Sequence, residues 1–211
     1  MKAISIIPAR GGSKRIPRKN LALINGKPLI SYIIKTSLES DVEETWVSSE
    51  DDEILAVSRE YGAKTIKRPI ELAGDYATSE SVLLHFCENI ICEKLIFLQA
   101  TSPLTTSEDI NQCISKLDKH DTVLTVSPIE TFVWHNETAM YDINDRKRTQ
   151  DFEFNYSIET GAMFGMWKDR FVKEKNRLHG NIGFCKIPRN RSFDVDTIED
   201  LTIVRLLMEN I

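Results

Sequence analysis

The stretch KAISIIPARGGSKRIPRKN, residues 2–20, decides how the rest of the chain is read. Its opening, through Ile7, is dominated by apolar and β-branched residues, the composition of a strand buried on both faces of a parallel sheet. It then turns abruptly cationic: Arg10, Lys14, Arg15, Arg18 and Lys19 crowd a segment that also holds Gly11, Gly12 and Ser13. In an open α/β sheet, ligands gather beyond the carboxyl ends of the strands. A loop placed there, with paired glycines for close backbone approach, a hydroxyl and five cations, has the make-up of a polyphosphate cradle. The GxxxxGK[ST] spacing is absent and Pro17 follows instead of a helix, so this is not a Walker A loop. Taken without its neighbours, the same stretch is a solvated basic loop.

Further strand-like runs follow at TWVSS (45–49), KLIFLQA (94–100), TVLTVS (122–127) and IGFCKIP (182–188). Helical spacing fills the gaps. One helix opens at Pro28 and runs through Leu29, Ile30, Ile33, Ile34 and Leu38; a second, capped by Asp51 or Asp52, runs through Tyr61. Others span Ser79 to Ile91, Ser107 to Lys119 with Ser107 as N-cap, and about Thr197 to Glu209. The alternation predicts a three-layer α/β fold around a mostly parallel, Rossmann-like sheet with right-handed crossovers. From about Ile129 to Gly180 the rhythm breaks. Phe132, Trp134, Tyr141, Phe152, Phe154, Tyr156, Phe164 and Trp167 lie there around the basic run Arg146, Lys147 and Arg148. Residues 1–211 therefore read as one domain, with 129–180 as an excursion that covers the active site, forms a dimerisation arm, or both.

Composition sets outer limits. The 211 residues carry 27 Lys and Arg against 32 Asp and Glu, a net charge of -5. Eight of the basic residues and none of the acidic ones fall in residues 1–38, leaving +8 there and -13 beyond. A compact polyanion suits the first segment, whereas a long nucleic acid would be repelled by the remainder, so no nucleic-acid partner is expected. A 41% hydrophobic content with 28% charged residues excludes disordered and fibrous classes. No apolar run approaches the roughly 18 residues of a membrane span, and the start turns charged before a signal peptide is completed. No membrane association and a cytoplasmic location are expected. Cys87, Cys92, Cys113 and Cys185 form no CxxC pair and lie in apolar segments, reading as buried reduced thiols.

Three other motifs carry chemistry. In FDVDTIEDL (193–201), Asp194 and Asp196 alternate in an extended segment, so their carboxylates share one side and can share a hard cation; the alternative is that both are helix-entry acids. With a polyphosphate loop elsewhere in the chain, magnesium is the cation of choice. In LQATSPLTT (98–106), Gln99 can orient a hydroxyl or a carboxylate. In KRPIELAGDYATSESV (67–82), Arg68 leads a polar loop whose backbone and hydroxyl groups can read the edge of a base. His85, His120, His135 and His179 stand in no ligand or catalytic pattern, and no GxSxG elbow occurs.

With these pieces in order along almost the whole chain, the sequence resembles the acylneuraminate cytidylyltransferases, the CMP-sialic acid synthetase family. The resemblance implies a nucleotide-diphosphosugar-transferase-like fold and a homodimer whose arm reaches the partner's site. It implies transfer of CMP from CTP to the anomeric hydroxyl of a nonulosonic acid, releasing pyrophosphate, with Mg2+ as cofactor. Position by position, Arg10, Gly11, Gly12, Ser13, Lys14, Lys19 and Asn20 match the triphosphate loop, and Arg68, Ala77 and Ser79 match cytosine-recognising positions. Gln99, Arg148, Thr160 and Phe164 fall to the sugar-acid side. Asp194 and Asp196 match the metal aspartates. Arg10, Lys14, Lys19 and Asp194 are the implied catalytic group, the proton going either to Asp194 or to a metal-bound hydroxide. Two departures, Ala100 and Thr105 in LQATSPLT and Thr160 in Thr160-Gly161-Ala162, both lie on the acceptor side, so sialic, legionaminic and pseudaminic acids stay open. A nucleotidyltransferase for another sugar or sugar phosphate, and a non-catalytic nucleotide-binding homologue, are the alternatives.

Overall fold

The computed structural model describes residues 2–151 and 156–209. Phe152 and Phe154 lie outside the described residues. Seven strands form one sheet: β1 (Ala3–Pro8), β2 (Glu44–Ser49), β3 (Lys64–Lys67), β4 (Lys94–Leu98), β5 (Thr122–Pro128), β6 (Ser157–Trp167) and β7 (Ile182–Lys186). Their order across the sheet is β7-β5-β6-β4-β1-β2-β3. All neighbours are parallel except β6, which runs antiparallel to both β4 and β5. The helices are α1 (Leu29–Leu38), α2 (Asp52–Glu60), α3 (Ser79–Asn89), α4 (Ser107–Lys116), α5 (Lys168–Glu174) and α6 (Ile198–Met208).

Period-two alternation assigns each strand residue to a face. Ile4 and Ile6 of β1 pack with Leu95 and Phe97 of β4, Phe164 and Met166 of β6, and Leu83 and Phe86 of α3. Ile7 and Ile96 point the other way, onto Ile33 and Ile34 of α1, Ile54 of α2 and Ile110 and Cys113 of α4. The result is the three-layer sandwich that alternation of strands and helices dictates. A third cluster, Ile16, Ile24, Leu29, Val195, Leu201 and Val204, ties α6 to the segment after β1. The four cysteines are buried and free. Burial pushes the Cys87 thiol up to about 12 and the Cys92 thiol up to about 11.

The chain moves from β1 outward to β3 with helices on one face, then returns through α3 on the opposite face to β4. Strand order therefore reverses between β1 and β4, which opens a crevice above their carboxyl ends. The cationic loop leaves β1 there, and Gln99 leaves β4 beside it.

The break in rhythm is shorter than the sequence suggests. Residues 129–151 hold a small hairpin, Trp134–His135 against Thr138–Ala139, turned through Asn136 and Glu137 at positive φ, and one 3-10 turn at Thr149–Asp151. Phe132 and Tyr141 pack with ring centroids 4.6 Å apart, and the Arg146 guanidinium lies 4.2 Å from the Phe132 ring centroid. From Ser157 the chain re-enters the sheet as β6, and α5 follows, so Phe164 and Trp167 belong to the body of the fold. Helix α4 is capped by Thr106 rather than Ser107, in a capping box with Asp109.

Glu44 fastens the amino end of β2. It accepts from Trp46 Nε1 at 2.7 Å, Lys64 Nζ at 3.0 Å and Lys2 Nζ at 3.2 Å. These donors, the Trp46 N–H first, hold its carboxyl down at about 2. The unfolded carboxyl titrates near ~4.3, so the unfolded chain binds more protons in between, and stability rises with pH across that window. Glu44→Gln is expected to lower stability at pH 7, with the deficit relative to the parent shrinking as pH falls from about 4.5 to about 2. Urea unfolding across that range checks it; a deficit independent of pH would refute it.

Candidate active site

The cationic loop is shaped from behind by acids at the end of β2. Glu50 accepts the Gly11 N–H at 2.7 Å and the Arg68 guanidinium at 3.0 and 3.3 Å. The Arg68 side chain is 3% exposed and that of Glu50 12%, making this a buried ion pair. Burial pulls the Arg68 pKa down against the opposing pull of Glu50. A Cβ on Gly11 would run into the Asp51 carboxylate, whereas one on Gly12 would meet nothing within 4 Å. Only the first glycine is thus demanded by its surroundings. Asp51 caps α2 through the Glu53 and Ile54 N–H groups and also pairs with Arg18. Arg18 takes a left-handed backbone (φ 56°), a strained state for a residue with a Cβ, which the Asp51 and Glu53 pairs offset. Asn20 is buried and braces the loop by donating to the Arg10 carbonyl at 3.0 Å.

Two adjoining cavities open above β1 and β4. One, of about 270 Å³, is lined by Pro8, Arg10, Arg68, Ala77, Ser79 and Gln99 among others. The other, of about 380 Å³, is lined by Arg10, Ser13, Lys14, Arg15, Lys19, Asp75 and Asp196. Arg10 and Asp75 belong to both, so these are compartments of a single cleft. Within it, Asp75 accepts from Lys14 at 2.6 Å and from Arg10 at 3.4 Å. Asp196 pairs with Lys19 at 3.0 Å and with Arg15 at 2.9 Å. Lys14, then Arg10, hold the Asp75 carboxyl below its usual range, and Lys19, then Arg15, do the same for Asp196.

A strap from Ile187 to Asp196 crosses the carboxyl end of the sheet. Its Val195 is buried and donates its N–H to the Thr101 carbonyl at 2.8 Å, and Lys19 Nζ donates to the Val195 carbonyl at the same distance. Asp194 and Asp196 flank Val195. Asp194 Oδ1 accepts from Ser102 Oγ at 3.0 Å, and its second oxygen has no partner among the described residues. Helix α6 is capped without either side chain: Thr197 and Asp200 form the capping box, and Asp200 also takes the Asp196 N–H. The helix-entry explanation therefore accounts for Thr197 and Asp200 but not for these carboxylates.

The acceptor-side residues fare unevenly. Gln99 lines the same compartment as Arg68, Ala77 and Ser79. Thr160 spends its hydroxyl on Thr125, 2.7 Å from Oγ1, where the β5–β6 register shifts and Gly161 takes φ 73°. Arg148 sits on the exposed segment before β6, paired with Asp151 at 2.6 Å, and lines neither compartment. Phe164 is corrected outright: at 1% exposure it stacks on Phe97, ring centroids 5.7 Å apart, with Arg177 over it, and has no face left for a sugar. Glu50, Asp75 and Ser102 were not singled out from sequence. The acidic run at 50–53, directly after a strand, was the available signal for Glu50. A separate, mainly apolar cavity of about 400 Å³ near Ser127, Ile158, Arg189 and Phe193 shares no residue with the cleft.

A family model described as cytidylyltransferase matches residues 4–184, taking in nearly all of β1, the cationic loop, the polar loop at 67–82 and most of β7. The chain belongs to the cytidylyltransferase family. A pseudaminic acid cytidylyltransferase from Campylobacter jejuni is 35% identical over 98% of this chain and 96% of its own length. N-acylneuraminate cytidylyltransferases from Danio rerio (form B) and Streptococcus agalactiae are 32% and 31% identical over 91% and 95% of the chain. The chain spans only about half of those two, 48% and 52%. Among solved structures, a CMP:2-keto-3-deoxy-manno-octonic acid synthetase complexed with CTP superposes with TM-score 0.77 at 22% identity, covering 100% of this chain and 99% of the other. A 4-diphosphocytidyl-2C-methyl-D-erythritol synthase from Anaerococcus prevotii gives 0.72 at 13% identity, covering 99% and 96%. At those identities the two structures speak for the cytidylyltransferase fold alone.

Proposed function

We propose that this family member transfers CMP from CTP to the anomeric hydroxyl of a nonulosonic acid. The hydroxyl oxygen attacks the α-phosphorus, forming the new ester as the bond to the β-phosphate bridging oxygen breaks; pyrophosphate leaves with that electron pair, and the hydroxyl proton passes to a base, the Asp194 carboxylate or a metal-bound hydroxide. The observation that carries the reading is the single cleft over the β1/β4 crossover, in which the compartment holding Arg68, Ala77 and Ser79 adjoins one walled by Lys14, Arg15 and Lys19. The first suits a pyrimidine read by backbone and hydroxyl groups; the second suits a triphosphate. Arg10, common to both, stands where base and phosphates meet. Chemistry of this kind needs alignment and charge neutralisation more than covalent help, and fixed cations supply both.

Asp194 and Asp196 fit a magnesium ion. They are hard oxygen donors either side of the buried Val195, Asp196 lining the cleft and Asp194 keeping one carboxylate oxygen without a partner among the described residues, and Mg2+ commonly takes one or two carboxylates and completes its shell with phosphate and water. Bound there, it would neutralise developing charge on the phosphates. Lys19 and Arg15 hold Asp196 until then.

Among nonulosonic acids the pseudaminic type is favoured, because the Campylobacter jejuni relative aligns along nearly its full length whereas the acylneuraminate relatives align over about half of theirs. A homodimer belongs to the same reading, supported by the exposed apolar residues Trp134, Ile143 and Ile158 in and beside the arm. A cytoplasmic location is supported by the free buried thiols; no described helix is long and apolar enough to cross a membrane. Pyrophosphate release from CTP with Mg2+ and each acid separately tests the reading: release is expected, fastest with the pseudaminic type. No release with any acid from folded protein would reject it.

A further inference from the structure

Asp75 stands at the junction of the two compartments, and its carboxylate spans Lys14 and Arg10, the cations nearest that junction. Among the described residues no other side chain holds it. It is half exposed on a short turn closed by the Ala77 N–H donating to the Gly74 carbonyl, with Tyr76 next to it 99% exposed. A carboxylate that presents one oxygen to a lysine and the other to an arginine offers the contacts a phosphate would make at the same place. A polyphosphate entering the cleft must take those donors from it.

We propose that Asp75 is the resident counter-ion of the polyphosphate compartment, exchanged against phosphate oxygens when nucleotide enters and returning to Lys14 and Arg10 as pyrophosphate leaves. It thereby sets how loosely the inorganic product is held. This rests on the reading of the cleft as a polyphosphate site. The exchange reaches the base side as well, because Ala77 and Ser79 follow Asp75 in the same segment and line the adjoining compartment. Occupancy of the phosphates and the position of the base-side loop are thus linked through one side chain.

The test is titration calorimetry with inorganic pyrophosphate, without added metal, on the parent protein, Asp75→Asn and Asp75→Glu, with Asp75→Ala as a second charge-removing variant. Removing a competitor that makes two exposed ion pairs is expected to tighten pyrophosphate binding about tenfold in the Asn and Ala variants. Product inhibition by pyrophosphate should strengthen in parallel, with the thermal midpoint unchanged, and Asp75→Glu should bind as the parent does. Equal or weaker binding by folded Asn and Ala variants would overturn the role of Asp75. No measurable binding by parent and variants alike would overturn the polyphosphate reading beneath it.

Discussion

Asp194→Asn is expected to lower turnover on the order of a thousandfold while leaving the thermal midpoint within about 2 °C of the parent. The small structural effect follows from the contacts. An asparagine oxygen can still accept from Ser102 Oγ, the strap is held separately by the Val195 N–H on Thr101, and α6 is capped by Thr197 and Asp200. What the substitution removes is a negative charge two residues from Asp196, which lines the cleft, and charge is the property a divalent cation requires. Raising Mg2+ should recover part of the loss. A fall in the midpoint comparable to losing a helix cap, with turnover intact, would return Asp194 to a structural role.

The second large effect is at Glu50. Glu50→Ala leaves the Arg68 guanidinium buried without its carboxylate and the Gly11 N–H without its acceptor. Breaking one half of a buried ion pair costs roughly 3–5 kcal/mol. At this chain length that corresponds to a drop of about 10 °C in the thermal midpoint. The same change frees the start of the cationic loop, so nucleotide affinity should fall with stability. Pairing Glu50→Leu with Arg68→Met should restore much of the stability, since an apolar pair avoids the buried charge, but not the nucleotide affinity. A Glu50→Ala protein that unfolds at the parental midpoint would show that this pair does not anchor the loop.

Much of this architecture is legible in sequence because it depends on local patterns. The apolar runs of β1, β4, β5 and β7 and the spacing of α1, α2, α4 and α6 announce themselves. Strand β6 does not. It reads SIETGAMFGMW, with two glycines, and its identity comes from partners on both sides, Leu98 to Lys94 of β4 and Pro128 to Thr122 of β5. Gly165 in particular is explained by α4: a Cβ there would strike the Cys113 sulfur. The cations of the site stand out because five crowd one loop, whereas their acidic partners arrive from three other places in the chain, at Asp51 and Glu53, Asp75, and Asp196. Which cation each acid meets leaves no mark in local composition. Phe164 shows the converse, an aromatic that motif order placed at the sugar and packing places against Phe97.

The most direct measurement is mass-spectrometric product analysis of one reaction containing all four ribonucleoside triphosphates, Mg2+ and an equimolar mixture of sialic, legionaminic and pseudaminic acids, since it reads base and acceptor together. The expected product is a CMP ester of a nonulosonic acid, formed with stoichiometric pyrophosphate and dominated by the pseudaminic type. A product bearing another base, transfer to a sugar phosphate added in a parallel reaction, or no nucleotide ester from folded protein would contradict it.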